Sequence, residues 1–72
     1  MDDSEVKVKG GVYITPKDIQ VLSNCSIDKA RKEHLLVRDS LDVEAGKLTV
    51  KAYCEYFNLD LKTIVDYINP YR

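Results

Sequence analysis

Apolar and polar positions follow two different periods along this chain, and the change from one to the other divides it into elements. Between Val6 and Ile14 the run Val-Lys-Val-Lys-Gly-Gly-Val-Tyr-Ile alternates on either side of a glycine pair. That is the pattern of a hairpin, or equally of one short strand at Val12–Ile14 with Gly10-Gly11 as its lead-in. From Thr15 the period lengthens. Thr15-Pro16 reads as a helix cap followed by proline at the first helical position, where the missing N–H has no intrahelical partner to lose. This predicts a first helix to about Leu22, ended by Ser23-Asn24, since Asn tolerates the left-handed geometry that follows a helix.

Ser26 caps a second helix, free of Gly and Pro as far as Leu41. Ile27, Ala30, His34, Val37 and Leu41 fall on one stripe of its wheel, the spacing of a core-facing helix. Asp42 to Lys47, with Gly46, reads as a loop, and Lys47-Leu48-Thr49 as a brief strand. Thr49 caps a third helix whose Val50, Tyr53, Cys54 and Phe57 recur at i, i+3, i+4 and i+7. After a turn at Asn58-Leu59, Asp60 caps a fourth, with Leu61, Ile64, Val65 and Ile68 at the same spacing. Asn69-Pro70 stops it, because proline neither continues a helix nor permits helical geometry easily in the residue before it.

Laid on itself with an offset of 34, the chain pairs Thr15 with Thr49, Lys17 with Lys51, Asn24 with Asn58, Ser26 with Asp60 and Ile27 with Leu61. Each half is a strand-like entry, a capped two-turn helix, a turn at Asn, a second cap and a second helix. Two units are too few for a solenoid. The pattern predicts an all-α domain over residues 12–72, four short helices arranged as two helix-turn-helix units burying each other's apolar stripes, preceded by a flexible segment 1–11. A minimal two-stranded ribbon joining Val12–Ile14 to Lys47–Thr49 is compatible with it.

Composition narrows the chemistry. The chain has 72 residues, 44% of them apolar, enough for one modest core and too few for a two-domain enzyme. Eleven basic and twelve acidic side chains leave a net charge of −1, so any grip on a polyanion must come from a local patch. No apolar run exceeds three residues, far short of the ~20 that span a bilayer. The acidic start Met1-Asp2-Asp3-Ser4-Glu5 has neither the basic nor the apolar part of an export signal, and the expected location is cytoplasmic. Cys25 and Cys54, with a single histidine, fall short of a zinc site's four ligands, and both are expected as buried thiols. None of the nucleotide, metalloprotease or hydrolase signatures occurs. His34 lacks a converging nucleophile or acid and is expected to be a hydrogen-bonded structural residue. No enzymatic activity, cofactor, metal, small-molecule substrate or membrane partner is expected.

The stretch Leu48-Thr49-Val50-Lys51 through Asn58-Leu59-Asp60 to Thr63-Ile64 resembles the opening of excisionase-like and MerR-like helix-turn-helix proteins. Ile14-Thr15-Pro16-Lys17-Asp18-Ile19, followed by Asn24-Cys25-Ser26 and Lys29-Ala30, is similar to the same motif. The whole chain also resembles short helix-turn-helix proteins of Bacteroides-group bacteria and their mobile elements. Both turns carry Asn where that family has Gly. The resemblance implies a DNA-binding accessory or regulatory protein whose second helix enters the major groove of double-stranded DNA.

Carried onto helix 2, that pattern turns Ser26, Ile27, Asp28 and Arg31 outward and puts Ala30 and His34 in packing slots. Arg31 would bond guanine edges, and Lys29, Lys32, Arg38 and Lys17 would sit on phosphates. Asp28 would help only by accepting from cytosine. On helix 4 the same transfer turns Leu61, Lys62 and Val65 outward, followed by Asp66, a face too apolar and acidic to read a groove. A rival role is an adaptor, or self-association, through the apolar faces of helices 3 and 4, with Tyr56, Leu61 and Tyr67 as the contact residues. The five tyrosines also suggest base stacking. The sequence shows no basic groove around them, and packing with hydroxyls at the surface is the expected role.

Overall fold

The computed structural model describes residues 7–72. Four helices follow one another: α1 (Pro16–Ser23), α2 (Ile27–Leu41), α3 (Val50–Phe57) and α4 (Leu61–Ile68), the last continuing as a 3-10 turn over Asn69–Tyr71. Each begins at the polar residue that the pattern marks. The side chains of Thr15, Ser26, Thr49 and Asp60 accept the backbone N–H of Asp18, Lys29, Ala52 and Thr63 respectively, so every helix has one of its orphan donors satisfied. At Thr15 the exchange is reciprocal, because its own N–H donates to Asp18 Oδ2 at 2.9 Å. Asn24 and Asn58 sit at φ 49° and 54°, and Asp42 at 55° ends α2 in the same way. The two asparagines of the repeat therefore perform one task twice.

The core gathers Ile14, Ile19, Ala30, Val37, Leu48, Val50, Tyr53, Cys54, Val65 and Ile68, so every helix and both lead-in segments contribute to it. α1 packs mainly on α2, and α4 touches both α1 and α3. The lead-ins meet in a single antiparallel bridge between Tyr13 and Thr49, flanked by Ile14 N–H to Leu48 O at 2.8 Å and Val50 N–H to Val12 O at 2.9 Å. Among the described residues there is no strand, and the glycine pair makes only a turn, with Gly11 N–H reaching Val8 O at 3.4 Å. The hairpin reading is thus not realised between Lys7 and Ile14; its first residue, Val6, lies outside the described residues.

Of the lead-in segment 1–11, residues 1–6 likewise lie outside the description. Lys7, Lys9 and Gly11 are hydrogen-bonded to Asn69 and Arg72. Among the described residues no helix is long and apolar enough to cross a membrane.

Two stripe assignments, and one carried over from the resemblance, need correction. Leu41 and Phe57, expected on core-facing stripes, are exposed, whereas Val65, turned outward by the helix-turn-helix transfer, is buried. For Leu41 the reason is length. α2 is 15 residues and α1 is 8, about 22 Å against about 12 Å at 1.5 Å per residue, so α2 outruns the helix that covers it. Phe57 closes the last turn of α3 and lies against the rings of Tyr53 and Tyr56, with centroids 5.0 and 4.8 Å away. Val65 shows that in α4 the i, i+3, i+4 stripe decides the orientation, since an apolar stripe must find cover.

Candidate nucleic-acid interface

α2 is oriented by what it buries. Ala30, His34 and Val37 point inward, and Ile27 is half-buried above them. The opposite side, carrying Ser26, Asp28, Lys29, Arg31 and Lys32, faces solvent. His34 is fixed at both ring nitrogens: Nε2 lies 3.0 Å from Ile14 O and Nδ1 2.9 Å from Arg38 Nε. A carbonyl only accepts and a guanidinium only donates, so the ring is the neutral tautomer with its proton on Nε2. The histidine is therefore a polar bolt between α2 and the lead-in segment before α1.

That geometry re-sorts the cations expected at the interface. Lys29, Arg31 and Lys32 are exposed on the first two turns of α2. Arg31 lies 3.8 Å from Asp28 in an exposed i, i+3 pair, which tempers its charge without burying it. Arg38 is half-buried and engaged with His34, so it is a structural residue first. Lys17 is not grouped with the α2 cations at all. It lines a depression with Lys9, Tyr13 and Tyr71, while Lys29 and Lys32 line another with Glu33, Leu36 and Phe57.

The residues assigned to protein contact are dispersed as well. Leu61 is half-buried and packs on the core. Tyr56 is exposed beside Phe57, its hydroxyl 3.3 Å from that of Ser40, whereas Tyr67 stacks on Tyr71 with centroids 6.4 Å apart. The apolar surface that the sequence reading missed is on α2 itself. Leu36 is 56% exposed, and Leu35 is exposed beside it. Both lie off the predicted stripe, which was the available signal.

Tyr53 donates to Glu33 Oε1 at 2.7 Å, and burial together with that carboxylate pushes the phenol well above its ordinary range. Burial, with Asp60 and Glu55 nearby, likewise raises the Cys54 thiol, and both cysteines are free, Cys25 only half-buried. Its surroundings therefore disfavour the Cys54 thiolate. Among the described residues no group of three or more His, Cys, Asp or Glu side chains is placed to hold a metal. Comparison of the chain with protein-family models, with curated proteins and with solved structures gives no match.

Proposed function

We propose that this chain is a small DNA-binding accessory or regulatory protein of the cytoplasm, without enzymatic activity, that presents the N-terminal half of α2 to the major groove of duplex DNA. The observation that carries this reading is the burial of Ala30, His34 and Val37, which turns Lys29, Arg31 and Lys32 together toward solvent. The three-residue turn Asn24-Cys25-Ser26, with its left-handed first residue, supports the helix-turn-helix description of α1 and α2. Lys29 and Lys32 would hold phosphates, and Arg31, released from its weak pair with Asp28, would reach a guanine edge.

The test is a titration of the full chain with genomic fragments at low salt. Binding that weakens steeply with salt and falls on Arg31→Ala is the expected result. No binding tighter than ~0.1 mM, the weak end of non-specific association, overturns the proposal.

A second reading, an adaptor or self-associating module, rests on the exposed Leu36 beside Phe57, a junction of α2 with α3 rather than the faces of α3 and α4. Sedimentation separates self-association from the first reading, because a module built on self-pairing does not remain monomeric as concentration rises.

A further inference from the structure

The exposed tyrosines lie among lysines. Tyr13 and Tyr71 line a depression of about 410 Å³ together with Lys9, Lys17 and Val21. Tyr71 and Val21 also line its neighbour, about 380 Å³, with Tyr67, Gln20 and Asn24. The shared residues set the two depressions side by side, a shallow groove lined from the lead-in segment to the α1–α2 turn with Tyr71 and Val21 between its two parts.

Its tyrosines are exposed, Tyr13, Tyr67 and Tyr71 at 43%, 51% and 63%, with Tyr67 and Tyr71 stacked on each other. Its charge is basic. The one carboxylate that lines it, Asp18, is already paired with Arg72, and among the described residues Lys9 and Lys17 have no ion-pair partner. Lys47 adds a third cation, its Nζ 5.9 Å from the centre of the Tyr13 ring.

Exposed tyrosines, a stacked pair among them that a base can extend, lysines beside them and side-chain amides at one end are the parts of a single-strand platform. A duplex hides its base faces and could use only the lysines. Val21, at the junction of the two depressions, offers apolar contact to a thymine methyl.

We propose that the groove formed by Tyr13, Tyr67, Tyr71, Lys9 and Lys17 binds single-stranded, pyrimidine-rich DNA by stacking bases on Tyr71 and its neighbours. This surface is separate from the α2 cations and does not depend on their reading a duplex.

The experiment is fluorescence anisotropy of a labelled oligothymidylate titrated with the full chain at low salt. An oligouridylate and a duplex of equal length serve as comparisons. Expected are binding to oligothymidylate, a loss of about tenfold or more on Tyr71→Ala with retention on Tyr71→Phe, a shallower salt slope on Lys9→Ala with Lys17→Ala, and no change on Arg31→Ala. Tyr71 is exposed in the terminal turn, and Tyr67→Ala gives a second probe should Tyr71→Ala disturb the fold. Absence of binding, indifference to both tyrosine changes, a preference for oligouridylate, or duplex binding that falls with the same tyrosine changes overturns the proposal. Failure of the α2 reading leaves it standing, since that reading is decided by Arg31 on duplex DNA.

Discussion

Arg72 and Asp18, 54 residues apart in the chain, form a nearly buried ion pair in which the guanidinium Nε donates to Oδ1 at 3.1 Å and an Nη donates to Oδ2. Asp18 simultaneously accepts the N–H and the hydroxyl of Thr15, so the box that starts α1 and the turn that follows α4 share one carboxylate. The remaining guanidinium N–H groups reach Lys9 O, Gly11 O and Tyr13 O. One side chain thereby ties the lead-in segment to α1.

Removing Arg72 leaves Asp18 buried with a charge that Thr15 alone must satisfy. Arg72→Ala is expected to lower stability by roughly 2–4 kcal/mol, at the low end if water reaches the vacated place. Urea unfolding with an unchanged midpoint would refute this.

Acid attacks the same pair. Burial by itself raises the Asp18 carboxyl, but the Arg72 hydrogen bond and charge and the Thr15 donors outweigh it and hold the group below its ordinary 3.8. A carboxyl depressed by folding contributes stability that is full above the unfolded value and is lost as pH falls through the folded one. Stability should therefore hold near pH 5 and decline below about pH 4. In Asp18→Asn the decline should be shallower, although Asp60, also lowered by its hydrogen bonds with Thr63, retains part of it. Melting temperatures from pH 2.5 to 6 for both proteins provide the check.

His34→Leu would be conservative for an apolar slot, yet here it strips Ile14 O of its donor and frees the Arg38 guanidinium from its anchor. A loss of about 2 kcal/mol is expected, the penalty of an unsatisfied buried carbonyl, despite the more apolar side chain. Arg38→Ala should cost about half as much and leave duplex affinity unchanged. A large fall in affinity with Arg38→Ala would return that residue to the interface.

Asp42 ends α2 with a left-handed φ of 55° and a carboxylate beside the negative end of the helix, both unfavourable. Asp42→Gly is expected to stabilise the protein by about 1 kcal/mol, whereas Asp42→Val should destabilise it by more than that. Thermal melts of the two variants should move in opposite directions.

Local chemistry alone was enough to place the helices. Caps at Thr15, Ser26, Thr49 and Asp60 and the left-handed asparagines at 24 and 58 are decided within four residues of where they stand, so the sequence carries them in full. Inward faces were legible wherever an apolar stripe was long enough to need cover, as in Ala30, Val37, Val50, Cys54 and Ile68.

Which ends of those stripes stay uncovered depends on the neighbouring helix, and this is why Leu41 and Phe57 face solvent. Long-range pairing decided the rest. Nothing local links Arg72 to Asp18, or brings Tyr71 to Lys9 and Lys17, because each of these pairings joins positions more than fifty residues apart, and no period or cap can encode them.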